Sequence, residues 1–390
     1  MVSYIIMKIA IDISQIVYNG TGVANYTEYL VKNLIKYDHK NQYILFGFSL
    51  RKLHILKAFI RDIKKDNDNF EYKLFPIPQS ILTKLWNKVH KFNLENLINN
   101  VDLIHSSDWI QPRSKAKKIT TVHDLVVYKY PEFSHPKIIE NQKNRLYWVK
   151  KECDMVIADS VSTRNDLISV LKFNPSKIEV VYPGLAEEFK PATIEEKNRV
   201  KYKYNLQDDY ILAVGTLEPR KNIKAIINSF NKLLANQLII SRKKPIELII
   251  VGKQGWNFQI HNSRYIRMLG YVGKQDLPAL YSAASLFVYP SFYEGFGLPV
   301  LEAMSCGCPV ITSNRGSLRE VSGQAALFVD PDLHDDILDK MIKLIIDKDL
   351  KFNLITEGFK RSRMYNWKKA VSKMIDIYES VVRTEKYTND

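Results

Sequence analysis

The chain has 390 residues, of which 46% are hydrophobic and 25% charged, and its formal net charge is +15. These proportions are typical of a globular protein and exclude an intrinsically disordered chain, while the length is typical of two domains. No apolar run reaches the ~20 residues of a membrane-spanning helix. The three cysteines are too few for a disulfide framework and predict a cytoplasmic location.

The positive charge is concentrated in residues 51–150, which hold 19 Lys or Arg and 10 Asp or Glu. No basic cluster in this range is combined with a nucleic-acid-binding motif, so nucleic acid is not an expected partner. Residues 80–92 place apolar side chains and Trp86 among three lysines. This pattern predicts an amphipathic helix, which either lies on an anionic membrane or packs its apolar face against the core.

The first half of the chain alternates short apolar runs with helical patterns. The runs are IIMKIAIDIS, YILFGF, YKLFPIP, VDLIHSS, KITTVHDLV, DMVIADS and IEVVYPG. Such alternation predicts βα units around a parallel sheet, and ligands of such sheets bind at the carboxyl ends of the strands.

Three of those strand ends carry suggestive residues; at the third, Asp159 and Ser160 at the end of the sixth run are expected to be mostly structural, through a helix N-cap. Gly20 and Gly22 follow the first run, where they either let the backbone approach a phosphate or form a plain turn. His123 and Asp124 follow the fifth run. His123 either donates a hydrogen bond to a ligand, with Asp124 fixing its ring, or is an ordinary histidine at a sheet edge.

The second half repeats the pattern with YILAVGTL, IELIIVG, YIRMLGYV, SLFVYP, CPVITS and ALFVDP. It therefore predicts a second parallel sheet, with a domain boundary near residue 190 and a cleft between the domains. Arg220 and Lys221 come just before a helix predicted over residues 223–234. Arginine can grip a phosphate with two hydrogen bonds and lysine acts as a point charge, so this turn is a candidate phosphate site; the alternative is an exposed basic turn.

Residues 291–309, SFYEGFGLPVLEAMSCGCP, read as a glycine-rich loop between a strand and a short helix. Pro299 suits the start of that helix and Gly307 its end. Glu294 and Glu302 bracket the turn, and their spacing is wrong for a pair on one helix face. Carboxylates and free backbone N–H groups together suit a polyhydroxylated ligand that carries phosphate, whereas the alternative is an ordinary turn with two solvated glutamates.

The pattern Glu294-x7-Glu302 within PSFYEGFGLPVLEAMSCGCPVI resembles the nucleotide-sugar signature of the family 4 retaining glycosyltransferases. The resemblance is dense over residues 8–22 and 118–367 and thin over 40–100. It implies an α/β fold of GT-B architecture, with two doubly wound, Rossmann-like domains facing across a cleft. Residues 1–190 would form the acceptor-side domain, 191–365 the nucleotide-sugar-binding domain, and 366–390 a helix that crosses back to the first domain.

The resemblance also implies roles for individual residues. Arg220 and Lys221 would bind the donor diphosphate, Glu294 the sugar hydroxyls and Glu302 the ribose, while His123 would act at the reacting centre. The expected catalytic residues are thus His123, Glu294, Arg220 and Lys221. The donor-binding set adds Glu302 and the residues Gly20, Gly22, Gly215, Gly252, Tyr271, Val272, Gly295, Phe296, Gly297 and Leu298.

The implied reaction is retaining hexosyl transfer without a metal or other cofactor. The D-x-D sequence at residues 66–68 is interpreted as a solvated loop. Residues 317–331 together with TVHDL look most like mannosyltransferases of this family, so GDP-mannose is the first expectation, with UDP-glucose, UDP-galactose and UDP-N-acetylglucosamine as open alternatives. The expected acceptor is a glycan or lipid-linked glycan, and the expected location is the cytoplasm or the inner face of the membrane. A sugar-nucleotide epimerase and a non-enzymatic basic binding protein are the competing functions.

Overall fold

A computed structural model describes residues 6–65, 67–236, 246–255 and 263–383. The chain divides into two compact units, one comprising Met1–Gly184 and Asn366–Asp390 and the other Leu185–Tyr365. Each unit is an α/β layer structure around one parallel sheet. In the part of the chain just given, no helix is long and apolar enough to cross a membrane.

The described residues of the first unit build a parallel sheet of seven strands in the order β3-β2-β1-β4-β5-β6-β7. All seven apolar runs predicted as strands are confirmed. They overlap with β1 (Lys8–Asp12), β2 (Gln42–Phe48), β3 (Phe70–Phe75), β4 (Leu103–Ser106), β5 (Lys117–Val122), β6 (Met155–Ala158) and β7 (Ile178–Val180). The inner strands are buried over most of their length because helices cover both faces of a parallel sheet.

Helices connect and cover these strands. They are α1 (Gly22–Tyr37), α2 (Leu53–Ile63), α3 (Gln79–Leu82), α4 (Glu95–Ile98), α5 (Val126–Lys129), α6 (Pro136–Glu152) and α7 (Val161–Leu171). A further helix, Trp367–Arg383, follows the second unit in sequence and packs its apolar face into the core of the first. Gly184 touches the start of that helix, since a Cβ there would lie 2.2 Å from the backbone nitrogen of Trp367.

The segment predicted as a basic amphipathic helix differs from the expectation. It forms α3 and then a π-helix over Thr83–Val89. Trp86 is fully buried and donates its indole N–H to the carbonyl of Phe92 at 2.7 Å. The ring of Trp86 packs in one core cluster with Ile44, Phe48 and Leu82. For Trp86, therefore, the alternative of packing against the core is confirmed, and the side chain is not a membrane anchor.

The second unit has, among its described residues, six parallel strands in the order β10-β9-β8-β11-β12-β13. The six predicted runs are confirmed as strands. They are β8 (Asp209–Val214), β9 (Ile246–Val251), β10 (Ile266–Gly270), β11 (Leu286–Tyr289), β12 (Val310–Ser313) and β13 (Ala326–Val329). Its helices are α8 (Ile194–Tyr204), α9 (Ile223–Leu234), α10 (Leu277–Ala283), α11 (Leu298–Ser305), α12 (Leu318–Ser322), α13 (His334–Ile346) and α14 (Lys348–Ser362).

The strand orders define where ligands are expected. In the second sheet, β8 connects onward to β9 on one side, while its other neighbour is β11. The connection after β8 runs to one side of the sheet and the connection after β11 runs to the other, so the loops that follow these two neighbouring strands diverge at the carboxyl edge of the sheet. Open α/β sheets bind their ligands at such a switch point.

Candidate active site

The predicted donor residues of the second unit follow four neighbouring strands. Gly215 comes after β8, Gly252 after β9, Tyr271 after β10, and the loop of Glu294 after β11. Because all strands of this sheet run parallel, these residues share its carboxyl edge. The sheet order thus gathers residues that are up to 79 positions apart in sequence, Gly215 to Glu294.

Three predicted catalytic residues meet at the switch point. The ammonium group of Lys221 donates to Oε1 of Glu294 at 2.6 Å, and Nη1 of Arg220 donates to Oε2 of the same carboxylate at 2.7 Å. Arg220 also bonds to Glu218 through its Nε, at 3.0 Å. We call Arg220, Lys221 and Glu294 the cation–carboxylate cluster. It joins the loop after β8 to the loop after β11.

The cluster is buried, with Glu294 exposed to 6% and Lys221 to 8%. Burial on its own raises the pKa of Glu294, but the charges of Arg220 and Lys221 outweigh burial and lower that pKa to about 2. Burial and the neighbouring charge of Arg220 lower the pKa of Lys221, against the attraction of Glu294. The carboxylate is therefore charged at neutral pH, and it holds two cations in place with little solvent screening.

Tyr289 is a member of this site that the sequence analysis did not single out. It is the last residue of β11 and is only 2% exposed. Its hydroxyl donates to Oε1 of Glu294 at 3.0 Å and accepts a short hydrogen bond from the ammonium group of Lys221. The one available sequence signal was its position, directly before the glycine-rich loop at the end of a buried strand.

The loop that carries Glu294 is fixed by contacts to its backbone. Ser317 Oγ lies 2.9 Å from the carbonyl oxygen of Glu294 and 2.8 Å from that of Phe296. Gly316 has φ +58°, and a Cβ on it would lie 2.8 Å from the Glu294 carbonyl oxygen. Gly297, with φ +100°, is the N-cap of α11, whose first two residues are Leu298 and Pro299. The predicted start of this helix is confirmed.

The other predicted residues of this loop have packing contacts. Phe296 is buried and lies edge-on to Tyr365, with the ring centroids 5.5 Å apart. Gly295 sits between Glu294 and Phe296, so its backbone belongs to the same turn. These contacts fix the backbone N–H groups at the start of α11, where a helix favours an anion.

The loops after β8, β9 and β10 approach one another closely. A Cβ on Gly252 would lie 1.9 Å from the carbonyl oxygen of Gly215, so only glycine fits there. The amide of Gly252 in turn donates to the carbonyl of Gly270 at 2.8 Å. Tyr271 is half-exposed beside Lys253, whose ammonium group lies 5.1 Å from the ring centroid, while Val272 is buried. Trp256, four residues after Gly252 in sequence, lies outside the described residues.

Glu302 has a different environment from Glu294. It lies on α11 and accepts a hydrogen bond from the hydroxyl of Tyr281 at 3.1 Å. Burial raises the pKa of Glu302 to about 7, since the hydrogen bond from Tyr281 offsets only part of the effect. The two glutamates of the motif thus carry different charges near neutral pH: Glu294 is ionised and Glu302 is close to half-protonated.

In the first unit, His123 follows β5 and pairs with a residue from the next strand. Its Nδ1 lies 2.6 Å from Oδ2 of Asp159, which follows β6. The expectation that Asp124 fixes this ring is wrong. Oδ1 of Asp124 accepts instead from the backbone N–H of Val126 at 2.9 Å, because an aspartate two residues before that amide forms a local turn.

Gly20 and Gly22 lie at the start of α1. Gly20 adopts φ +82°, which glycine tolerates without strain. Gly22 is the first residue of α1, and a Cβ there would meet no heavy atom within 4 Å. Tyr26, one turn further along, lies edge-on to the ring of His123 with centroids 4.7 Å apart. The amino end of α1 and His123 thus belong to the same edge of the first sheet.

Metal-binding residues were expected to be absent from the site. In the described ranges, no three His, Cys, Asp or Glu side chains are arranged to hold a metal ion. Asp66 of the D-x-D sequence lies outside those ranges, and Asp68 is exposed in the loop before β3. The three cysteines are buried as free thiols.

Comparison with known proteins assigns both halves of the chain. Residues 20–189 match the model of Glycosyltransferase Family 4, and residues 194–361 match that of Glycosyl transferases group 1. The chain thus contains a family 4 type glycosyltransferase domain followed by a group 1 glycosyltransferase domain. This glycosyltransferase is 29% identical over 385 residues to O-antigen chain mannosyltransferase B of Escherichia coli, which covers 96% of this chain and 100% of the relative.

Solved structures similar to this glycosyltransferase share its fold. Sucrose-phosphate synthase from Thermosynechococcus elongatus matches with a TM-score of 0.72 at 19% identity, over 97% of this chain and 100% of that one. Alr3699/HepE from Anabaena, in complex with UDP and glucose, matches with a TM-score of 0.71 at 16% identity, over 96% and 100% of the two chains. The predicted GT-B fold is confirmed.

Proposed function

We propose that this glycosyltransferase moves a mannosyl group from GDP-mannose to a hydroxyl of a glycan or lipid-linked glycan, with retention of anomeric configuration and without a metal ion. The cation–carboxylate cluster carries this proposal. It sets two cations at the switch point of a parallel sheet, beside the amino end of a helix. That combination suits the diphosphate of a nucleotide sugar.

The chemical demand of the reaction is to stabilise negative charge on the departing diphosphate. Arg220 and Lys221 are held in place before the reaction by Glu294 and, for Lys221, by Tyr289. Cations that are already oriented lower the barrier because they need not reorganise as charge develops. Basic side chains would thus take the role that a divalent cation has in other transferases, and the leaving phosphate would accept the acceptor's proton.

The two glutamates would bind different parts of the donor. Glu294, ionised and central, accepts hydrogen bonds from hydroxyls of the transferred sugar, and Glu302 accepts them from the ribose. The loops of Gly215, Gly252 and Tyr271 shape the pocket for the base. His123 of the first unit acts at the transferred sugar. A diphosphate-binding role for the backbone at Gly20 and Gly22 is likewise a proposal.

Mannose is favoured over other sugars by the relative that matches this chain over nearly its whole length, a mannosyltransferase. The alternative is a UDP-sugar donor, which has its own support in the fold likeness to a protein solved with UDP and glucose. The family assignment favours transfer over epimerisation and over nucleic-acid binding, the other functions consistent with the sequence. The predicted cytoplasmic location and peripheral membrane contact remain predictions.

A thermal-shift panel with GDP, UDP, ADP and their common sugars, each with and without EDTA, tests the donor site. A nucleotide at 100 times its Kd stabilises the folded state by ~2.7 kcal/mol, which is readily detected. We expect a shift with GDP that EDTA does not reduce, and we expect R220A and K221A to weaken it. K232A, which removes an exposed lysine from the last turn of α9, is the matched control.

The outcomes separate the parts of the proposal. A shift with UDP alone would keep the transferase and discard GDP-mannose, whereas loss of the shift in EDTA would contradict metal independence. No shift with any nucleotide would contradict the donor site itself. Retention is tested separately, by the anomeric coupling constant of the product formed on a glycan acceptor.

A further inference from the structure

We propose that Asp159 is a positioning residue for His123: it binds Nδ1 of the imidazole and so makes Nε2–H a fixed hydrogen-bond donor for the transferred sugar. This inference rests on the proposed function, in which His123 acts at that sugar. It goes beyond that function by assigning Asp159 and by identifying Nε2 as the ring nitrogen of His123 that donates.

The register of the first sheet creates the pair. Strands β5 and β6 are parallel neighbours in which Val122 lies opposite Ala158. The residues that follow these two, His123 and Asp159, therefore leave the sheet side by side at its carboxyl edge. The 2.6 Å separation of Nδ1 and Oδ2 follows from backbone pairing, and a strand order with any other neighbour for β5 would not produce it.

The imidazole is held from several directions. Asp159 binds it from β6, and Tyr26 of α1 packs edge-on against the ring at 4.7 Å. Thr163, in the first turn of α7, donates its hydroxyl to the backbone carbonyl of His123 at 3.2 Å. The side chain of His123 keeps 15% of its surface exposed. Such a ring is oriented before any ligand arrives, and its Nε2 makes no hydrogen bond to a described residue.

Burial of the Asp159 carboxylate costs folding free energy. It is 4% exposed, and its Oδ1 has no hydrogen-bond partner among the described residues. A buried carboxylate oxygen without a partner destabilises the fold, so packing alone does not explain an aspartate here. Its charge is used instead to hold the neighbouring imidazole.

The surrounding charges determine the protonation of His123. Burial lowers its pKa, but Asp159, Asp108 and Asp124 oppose burial and bring the pKa to about 9. The other titratable groups that face it are Tyr26 and His105, and burial together with the charge of His123 lowers the pKa of His105 to about 3. At neutral pH His123 therefore carries both ring protons. One is bound to Asp159, so the other is available to an acceptor oxygen.

The test is D159N, which keeps the size of the side chain and removes its charge. In NMR titrations of the histidine side chains, assigned with H123Q, we expect the pKa of His123 to fall by at least one unit. We expect kcat to fall about 10- to 100-fold with little change in donor KM. As the pH rises, the rate of D159N should begin to decrease at a lower pH than the rate of the wild type. D159E retains the negative charge, so the pKa of His123 should fall less in D159E than in D159N.

The control is D166N on α7, the helix that follows Asp159, which removes a buried carboxylate paired with Lys129 at 2.8 Å and leaves His123 untouched. It should change neither the titration nor kcat. In an H123A background D159N should cost no further activity. An unchanged pKa of His123 in D159N, or additive losses in the double variant, would overturn the proposal.

The titration does not depend on turnover, so the two proposals fail in different ways. If the pKa of His123 falls in D159N but the wild type transfers no sugar from any nucleotide donor, the proposed function is wrong and the pairing stands. If the wild type transfers sugar and D159N keeps full kcat, the proposed function stands and the positioning role is wrong.

Discussion

Lys221 and Glu294 form an ion pair at 2.6 Å across 73 residues of sequence. The cation follows β8 and the carboxylate follows β11, so the pair bridges the switch point of the second sheet. One of the groups proposed to bind the donor phosphates is thus held by the group proposed to bind the sugar. If these groups bind the donor as proposed, the strength of nucleotide binding should depend on Glu294.

Replacing Glu294 by glutamine should therefore lower the stability of the fold while it strengthens nucleotide binding. Loss of one partner from a buried ion pair typically costs about 3–5 kcal/mol, so E294Q should unfold at a lower temperature. Without the carboxylate, Arg220 and Lys221 attract phosphate more strongly, and GDP should bind about tenfold more tightly and give a larger thermal shift. Sugar transfer should nevertheless slow by about 10²-fold.

E247Q is the control for this variant. Glu247 is buried near the amino end of β9, away from the loops of the site, and lies 3.9 Å from Arg267. It should lower the unfolding temperature without enlarging the GDP shift. Weaker GDP binding by E294Q, measured by isothermal titration calorimetry, would contradict the inference that Glu294 offsets the charge of the two cations.

Tyr289 should matter for transfer through its hydroxyl alone. Y289F removes the hydrogen bonds to Lys221 and Glu294 but leaves the ring in the core, so the loss of stability should be about 1 kcal/mol. We expect kcat to fall about tenfold because the ammonium group is no longer oriented. Y210F is the matched control, since the buried Tyr210 donates its hydroxyl to the Leu280 carbonyl at 2.6 Å, away from the cluster. Equal rates for the two variants would rule out the role of Tyr289.

Glu302 should make donor binding depend on pH. Its pKa of about 7 means that the carboxylate, the better acceptor for ribose hydroxyls, forms as the pH rises from 6 to 8. Donor KM should fall over this range in the wild type and stay flat in E302Q. A pH-dependent KM of the same shape in E302Q would assign the titration to another group.

Glu302 should also make the stability of the fold depend on pH, but here a rise in pH is unfavourable. The folded state holds the proton of Glu302 up to about pH 7, whereas the unfolded chain releases it near the ordinary pKa of 4.5. Between these values the folded state binds more protons, so stability falls as pH rises, by at most about 3 kcal/mol. Chemical denaturation of the ligand-free protein at pH 4.5 and pH 8 should show this loss for the wild type and a smaller loss for E302Q.

Two glycine substitutions, G252A and G22A, should have opposite effects on the stability of the fold. G252A places a Cβ 1.9 Å from the Gly215 carbonyl oxygen, so we expect strong destabilisation and loss of nucleotide binding together. G22A meets open space at the start of α1 and should leave the unfolding temperature equal or slightly higher, by about 0.4–1 kcal/mol in stability. If substrate approaches that backbone, G22A should still slow transfer. Full activity of G22A would contradict a binding role for residues 20–22 and favour the alternative that they form an ordinary turn.

Local features of the sequence determined much of this protein. The apolar runs between helical patterns predicted all thirteen strands of the described residues, since burial on both faces leaves a continuous apolar signal. The start of α11 at Leu298 and the limits of α9, Ile223–Leu234, were also predicted. Proline and glycine act on their own backbone, so such boundaries can be read without knowing the fold.

The tertiary structure alone decided which side chains meet. Asp124 is adjacent to His123 in sequence, yet Asp159 binds the ring, because the order of strands and not the order of residues sets the neighbours of a sheet edge. Trp86 lies in a segment with a surface-like pattern, yet the core holds it. Tyr289 looks like any buried strand residue until the loop after β8 places Lys221 beside its hydroxyl. Pairing between distant segments depends on register and packing, which no local pattern encodes.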